Sequence, residues 1–347
     1  VTVETSGSSV DFDPELLRDF LSARFGSDIM TLERVGGGQS NPTYFVTSGG
    51  ERMVLRKKPA GPILPGAHAI EREYHVLSAL YPTNVPVPKP ILLHEDADLL
   101  GTPFYLMERV EGRVFSDCAL PELPREIRRD IYAGMAEALA KLHALSPDRI
   151  GLDDFGRPGN YFERQINRWT RQWQESPSAR IAALDRLADW LPSNLPPDDG
   201  AVSIAHGDFR LGNMLFHPQE PRVVAILDWE LSTLGHPLAD LGFCVMPWHT
   251  SPDEYGGILG LDTEALHLPS ERAFLERYYA HARPTAALQP FHVAFALFRF
   301  AVIFIGIADR ARAGNAAAAN AADVAPLAER FAVRAQEVIE GKHATGG

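Results

Sequence analysis

The residues best equipped for chemistry form one run, His206-Gly207-Asp208-Phe209-Arg210-Leu211-Gly212-Asn213, followed after a short apolar segment by Asp228-Trp229-Glu230. Phosphoryl transfer moves a dense negative charge while a hydroxyl gives up its proton. One carboxylate must take that proton, and a carboxamide with a second carboxylate can hold Mg²⁺ against phosphate oxygens. Asp208, Asn213 and Asp228 supply that set, although each alone could serve as a turn or strand-end residue. Residues 202–205 read as a strand delivering the chain to Asp208, and 214–216 with 223–227 as a hairpin pair around the breakers Pro218 and Pro221. The three polar residues therefore fall at loop and strand ends.

Upstream elements could position a nucleotide for them. Asp13-Pro14-Glu15 predicts a helix start, with Leu16, Leu17, Phe20 and Leu21 as the apolar stripe. A strand at 32–35, the polar turn Gly36-Gly37-Gly38-Gln39-Ser40-Asn41 and a returning strand at 43–47 suit a hairpin over phosphates, because missing Cβ atoms let backbone N–H groups approach. After Gly49-Gly50, a strand from Arg52 ends in Arg56, Lys57 and Lys58. Alternation puts Val54 and Arg56 on one face and Leu55 and Lys57 on the other, so one of the first two cations can face a nucleotide, and Arg56 is taken as that one. A Pro/Gly loop at 59–65 leads to a helix at 68–80 that carries Glu71 and Glu73 near its start. Strands follow at 91–94 and 104–110, then helices at 123–145, 161–173, 181–191, 271–282, 292–310 and 324–340. Arg125, Arg128 and Arg129 are placed on the solvent side of the first of these helices, and His143 near its end is read as packed. Trp169 and Trp173 are placed in the core, and the first ten residues are read as a frayed tail.

The segments HGDFRLGNMLFHP and ILDWELSTLGHPLADLGF resemble the aminoglycoside phosphotransferase superfamily, and within it the branch related to the kinase domains of certain acyl-CoA dehydrogenases. The resemblance spans roughly residues 25 to 310. The same order occurs in protein kinases, with His-Gly-Asp here for His-Arg-Asp and Asp-Trp-Glu for Asp-Phe-Gly. It implies an α+β, bilobal, protein-kinase-like fold: residues 1–110 as a small sheet-rich nucleotide-binding lobe with its hinge, residues 111–347 as a larger helical catalytic and acceptor-binding lobe, and Mg·ATP between them. Asp208 becomes the proton acceptor, with Arg210 beside it in the catalytic loop, and Asn213 and Asp228 become the Mg²⁺ ligands. Gly37, Gly38, Gln39, Ser40 and Asn41 would cover the phosphates. Glu73 would pair with the strand cation, which is Arg56 here and Lys in the superfamily. Main-chain groups of Glu108 and Val110 would hold adenine, and Asp240 would be a structural carboxylate holding the catalytic loop. His206 is read as scaffold, and Glu230 as a surface acid or a group reaching a second metal through water.

Composition bounds the rest. A chain of 347 residues suits two lobes, and 45% hydrophobic with 22% charged residues excludes disorder for most of it. A formal net charge of -12 repels nucleic acid and anionic lipid, so neither is an expected partner. Cys118 and Cys244 lack Cys-x-x-Cys spacing and suit a reducing compartment. No basic-then-apolar leader opens the sequence, and Arg299 and Gly306 interrupt the longest apolar run, so a cytoplasmic chain without a membrane span is expected. Local cations around the apolar loop at 56–68, with Arg210, favour a phosphate-bearing, partly aliphatic acceptor. The expected function is transfer from Mg·ATP to a small-molecule hydroxyl, a hydroxyacyl-CoA ahead of an aminoglycoside. The rivals are a degenerate kinase fold used as a binding module and a metal-dependent hydrolase built on Asp208, Asp228 and His236. The sequence carries no signal for oligomeric state.

Overall fold

The computed structural model describes residues 3–6, 10–36, 41–60, 69–157, 159–283, 285–312 and 325–342. It divides into two compact units, Val1–Gly112 with Val224–Glu230, and Arg113–Val223 with Leu231–Gly347.

The first unit contains β1 (Val3–Ser6), α1 (Pro14–Phe25), β2 (Met30–Arg34), β3 (Thr43–Ser48), β4 (Glu51–Lys57), α2 (Ile70–Leu80), β5 (Pro90–His94) and β6 (Phe104–Glu108). Its strands make one sheet in the order β1-β2-β3-β4-β6-β5. β1 pairs in parallel with β2, so the segment read as a frayed tail contains an edge strand. α1 starts as its sequence dictates: the Asp13 side chain accepts from Glu15 N–H at 3.0 Å and Pro14 fills the first helical position. Leu17 and Leu21, one turn apart, are buried, whereas Leu16, expected in the same stripe, lies 45% exposed on the flank. The β3–β4 turn uses Gly49 at φ 60°, where a Cβ would come within 2.7 Å of the Phe25 carbonyl oxygen. Leu17, Leu21, Met30, Tyr44, Met53 and Leu106 belong to one core cluster under the sheet. Residues 224–230, expected with the second lobe, group here because Ile226 N–H donates to the Pro86 carbonyl at 2.8 Å and Asp228 reaches Arg56.

The second unit is mainly helical. In chain order, α3 (Arg125–His143), α4 (Tyr161–Gln174) and α5 (Ala182–Ser193) precede β7 (Ser203–Ala205), β8 (Met214–Phe216), β9 (Val223–Ile226), which groups from Val224 on with the first unit, and β10 (Thr233–Gly235), then α6 (Pro237–Cys244), α7 (Glu271–Tyr279), α8 (Pro290–Arg312) and α9 (Ala325–Ile339). β7 and β10 pair antiparallel. The turn after β8 is closed by His217 N–H to the Arg222 carbonyl at 2.9 Å. Trp169 and Trp173 are buried in the core.

Two readings of polarity need correction. Arg128 is buried, not solvent-facing: its Nη2 donates to the Leu123 carbonyl at 3.0 Å and its Nη1 to that of Leu266 at 3.2 Å, which satisfies the cation inside the unit. Arg299 and Gly306 do not break the apolar run. α8 passes through both and is long and apolar enough to cross a membrane, with mean hydropathy 2.2 over its best window, yet 83% of that window is buried inside the protein, as in a core helix.

Candidate active site

In the first unit the site grows from strand alternation. Arg56 and Lys57 leave opposite faces of β4, and each is buried with its own carboxylate. Lys57 Nζ lies 2.8 Å from Asp11 Oδ2 and 5.2 Å from the centroid of Phe12, against α1. Arg56 takes the other face, with Nε 3.3 Å from Glu73 Oε2 and Nη2 3.2 Å from Asp228 Oδ1. The Nε contact lacks hydrogen-bond alignment and is a charge contact. Glu73, only 1% exposed, comes from the first turn of α2 and is the hub. Its Oε1 accepts from Asn41 Nδ2 at 2.6 Å and its Oε2 from the Tyr105 hydroxyl at 2.9 Å. Burial pushes Glu73 above its ordinary value, opposed by Arg56 and the Tyr105 hydrogen bond. Burial also opposes the Arg56 charge, but Tyr105, Glu73 and Asp228 outweigh it and keep the guanidinium protonated. Glu71, the other acid in that turn, pairs with Lys58.

Asp228 is held at φ 63°, a left-handed conformation that a non-glycine residue adopts only where its surroundings enforce it. Its side chain is 31% exposed, and Arg56 holds only one of its oxygens among the contacts described. Glu108 closes β6 opposite Met53, and its N–H is already committed to the Lys89 carbonyl at 2.8 Å. Val110 follows just beyond the strand, half-buried. Gly37, Gly38, Gln39 and Ser40 lie outside the described residues, as do 61–68 of the loop expected to shape the acceptor side. Asn41 is placed on Glu73.

In the second unit, β7 ends at Ala205 and the chain turns at Gly207, φ 84°, where a Cβ would meet the Leu231 carbonyl oxygen at 2.9 Å. This turn is gripped from two helices. The buried carboxylate of Asp240, in the first turn of α6, accepts from His206 N–H at 2.6 Å and Gly207 N–H at 2.9 Å, and Arg299 Nη2 of α8 donates to the Gly207 carbonyl at 2.6 Å. Burial alone would raise Asp240, but His143, His206 and the Gly207 N–H outweigh it and hold the carboxyl below its ordinary value. His206 is fully buried and its Nδ1 accepts from Asp208 N–H at 3.2 Å, which makes it scaffold. Asp208 then projects with its side chain 22% exposed. Asn213, in a single 3₁₀ turn, donates from Nδ2 to both the Asp208 carbonyl at 2.9 Å and Oδ2 at 2.7 Å, which leaves its amide oxygen for another partner. Arg210 Nε stands 3.3 Å from both Asp208 oxygens. His236 caps α6 and pairs with Asp199 at 3.0 Å, so the hydrolase constellation of Asp208, Asp228 and His236 loses its histidine to a structural role.

Beside this loop is a small cavity of about 70 Å³, open at its mouth. Arg210 lines it, and the walls include Phe243, Phe300, Phe331 and Tyr255. Its lining carries one carboxylate, Glu254, which Arg330 Nε and Arg334 Nε contact at 3.0 and 2.8 Å. No three His, Cys, Asp or Glu side chains gather into a metal cage among the described residues. Each unit offers a hard oxygen donor of the kind Mg²⁺ takes, the Asp228 carboxylate in the first and the Asn213 carboxamide in the second.

Residues 31–291 match the phosphotransferase enzyme family, APH. The chain belongs to that family. This phosphotransferase has the kinase-like fold of its structural neighbours. A crystal structure from Ralstonia eutropha JMP134, provisionally described as an aminoglycoside phosphotransferase, is 42% identical, covers 95% of this chain and 99% of its own, and superposes with TM-score 0.84. Spectinomycin phosphotransferase, solved with ADP and spectinomycin, shares the fold at TM-score 0.63 and 15% identity, over 93% of this chain and 98% of its own. Acyl-CoA dehydrogenase family member 11 of Gallus gallus is 41% identical over 311 residues, 87% of this chain and 40% of that protein. The human protein of the same name is 38% identical over 335 residues, 92% of this chain and 42% of its own length. This phosphotransferase thus spans about two fifths of the curated relatives it matches.

Several residues that build the site were passed over in the sequence. Tyr105 was read only as a strand position, yet its hydroxyl completes the Glu73 hub. Arg299 was read as an interruption, although a lone cation in an apolar run itself signals a buried partner. Glu254, Phe300 and Phe331 gave no signal, because the cavity joins elements far apart in the chain.

Proposed function

We propose that this phosphotransferase transfers the γ-phosphoryl of Mg·ATP to the hydroxyl of a hydroxyacyl-CoA in the cytoplasm. One observation carries the choice of acceptor: the cavity beside the catalytic loop is aromatic and aliphatic, and its single carboxylate is neutralised by two arginines. An aminoglycoside is a polycation and needs free carboxylates. An acyl chain needs apolar walls, and its phosphate-bearing carrier a nearby cation such as Arg210.

In this reading Asp208, fixed by Asn213 and Arg210, accepts the proton of the acceptor hydroxyl. The oxygen so released forms its bond to the γ-phosphorus as the bond from that phosphorus to the β–γ bridging oxygen breaks, and ADP leaves. Arg56, positioned by Glu73, contacts the phosphates, and the Glu108 carbonyl with the main chain of Val110 holds adenine. The Asn213 carboxamide and Asp228 would hold Mg²⁺, which supplies charge neutralisation on the transferring group. The test offers kanamycin-type aminoglycosides and 4-hydroxyacyl-CoA thioesters side by side with Mg·ATP, with phosphorylated product read by mass spectrometry. Transfer to the thioesters is expected; transfer to the aminoglycosides alone would overturn the acceptor assignment.

A further inference from the structure

We infer that Phe331 is the end stop that sets the acceptor's chain length, an inference that rests on the acyl-acceptor reading. The apolar cavity is walled on one side by the catalytic loop through Arg210 and on another by α9 through Phe331. Asp208 does not line the cavity, but Arg210, which contacts it, does. A hydroxyl presented to Asp208 therefore directs the aliphatic tail beyond it into this space, while the thioester stays towards solvent.

Three rings from α8 and α9 pack against one another, and a fourth stands at the surface. Phe300 and Phe331 have centroids 5.0 Å apart, and Phe304 packs behind both at 4.8 and 5.4 Å. Tyr255, 51% exposed, meets Phe300 edge-on at 5.1 Å near the mouth, where the Arg210 guanidinium lies 5.9 Å from its ring. Phe209, in the loop that carries Arg210, and Phe331 are the completely buried lining rings; of the four rings above Phe331 alone is so, and Phe304 packs against it at 5.4 Å, so its ring is a closed wall. That wall is also held in place. Arg330 and Arg334, on the same stretch of α9, bind the two oxygens of the buried Glu254 carboxylate, whose Oε2 also accepts from Ser251 N–H at 2.9 Å. A helix pinned one residue before and three residues after Phe331 cannot slide to admit a longer tail, and native packing density leaves the ring no room to rotate away.

A methylene that fits an apolar pocket improves kcat/KM by roughly tenfold or more, and one that meets a wall reverses the gain. The experiment uses the full chain with Mg·ATP and a series of 4-hydroxyacyl-CoA thioesters that differ only in carbons beyond the hydroxyl. The parent, Phe331→Leu, Phe331→Ala and Phe295→Leu are compared, with melting curves confirming the folded state. Phe295 lies in α8 against Phe162, outside the cavity lining, and controls for loss of a buried ring. The parent is expected to show a length optimum that Phe295→Leu keeps. Both Phe331 variants move it to longer chains and raise kcat/KM for the longest thioester at least about tenfold, with the shortest little changed. Because Phe331→Ala can unfold α9, Phe331→Leu alone suffices to decide. An optimum that stays in place in a folded Phe331 variant overturns this inference and leaves the acceptor reading standing. A parent that phosphorylates no thioester of any length overturns both.

Discussion

Replacing Arg56 by Met would leave Glu73 as an unpaired charge in the core of the first unit. The guanidinium is 11% exposed and the carboxylate 1%, with Nε and Oε2 3.3 Å apart. At an effective dielectric of about 20, two unit charges at that distance attract by about 5 kcal/mol, and much of this only offsets their desolvation. Removing one partner costs more than the pair contributes, about 3 kcal/mol or somewhat above, because the other stays buried. The Asp228 arm, 31% exposed, adds at most about 1 kcal/mol. Glu73 can escape by taking a proton. Its carboxyl is already pushed up by burial, and loss of Arg56 pushes it further. A raised folded value means that the stability is fully present below the ordinary 4.5 and is lost as pH climbs through the raised value, so the variant should suffer more at pH 8 than at pH 5. Adding Glu73→Gln should recover about 2 kcal/mol at pH 8, since an amide can still bond to Asn41 and Tyr105 without carrying charge. The measurement is a double-mutant cycle of urea unfolding at both pH values, following the transition of the first unit. Coupling below about 0.5 kcal/mol, or an equal loss at both pH values, would refute the buried-pair reasoning.

Asp208→Asn should bind Mg·ATP like the parent while transfer falls by at least about a hundredfold, since an amide cannot accept the acceptor's proton; parallel calorimetry and turnover assays check this, and unchanged turnover would remove Asp208 from its role. His292, buried in α8 and stacked on His236, has its pKa lowered to about 4 from 6.5 by burial and by that neighbour, with Asp199 opposing. Its neutral form is the folded one, so stability is full above pH 6.5 and declines towards pH 4 by about 3 kcal/mol. His292→Gln should flatten melting temperature over that window, and an unchanged slope would place the titration elsewhere.

Local signals were legible where one element decides the outcome. The Asp13-Pro14 start of α1 needs only its own turn, and the two faces of β4 follow from a period of two, which separates Arg56 from Lys57. The polar run from His206 to Asn213 could be picked out as a candidate because its residues are adjacent in sequence. Errors came where the long-range environment overrides polarity. Arg128 looks solvent-facing until the carbonyls of Leu123 and Leu266 are brought to it. The opening segment looks frayed until β2 offers it a parallel edge. The cavity beside Arg210 was not legible, because its walls come from segments separated by more than two hundred residues and only the Phe209–Gly212 stretch belongs to a motif.

The peptide that precedes Asp208 is bound at its two N–H groups by α6 and at its carbonyl by α8. It sits in a loop by shape but not by kinetics. Its amide protons exchange with water when Asp240 lets go of them, so the direction in which Asp208 leaves the turn persists far beyond the nanosecond to microsecond wandering of a surface loop. Damage to the buried 23-residue α8 would therefore be felt first as a blurred direction at Asp208, long before the fold itself is lost.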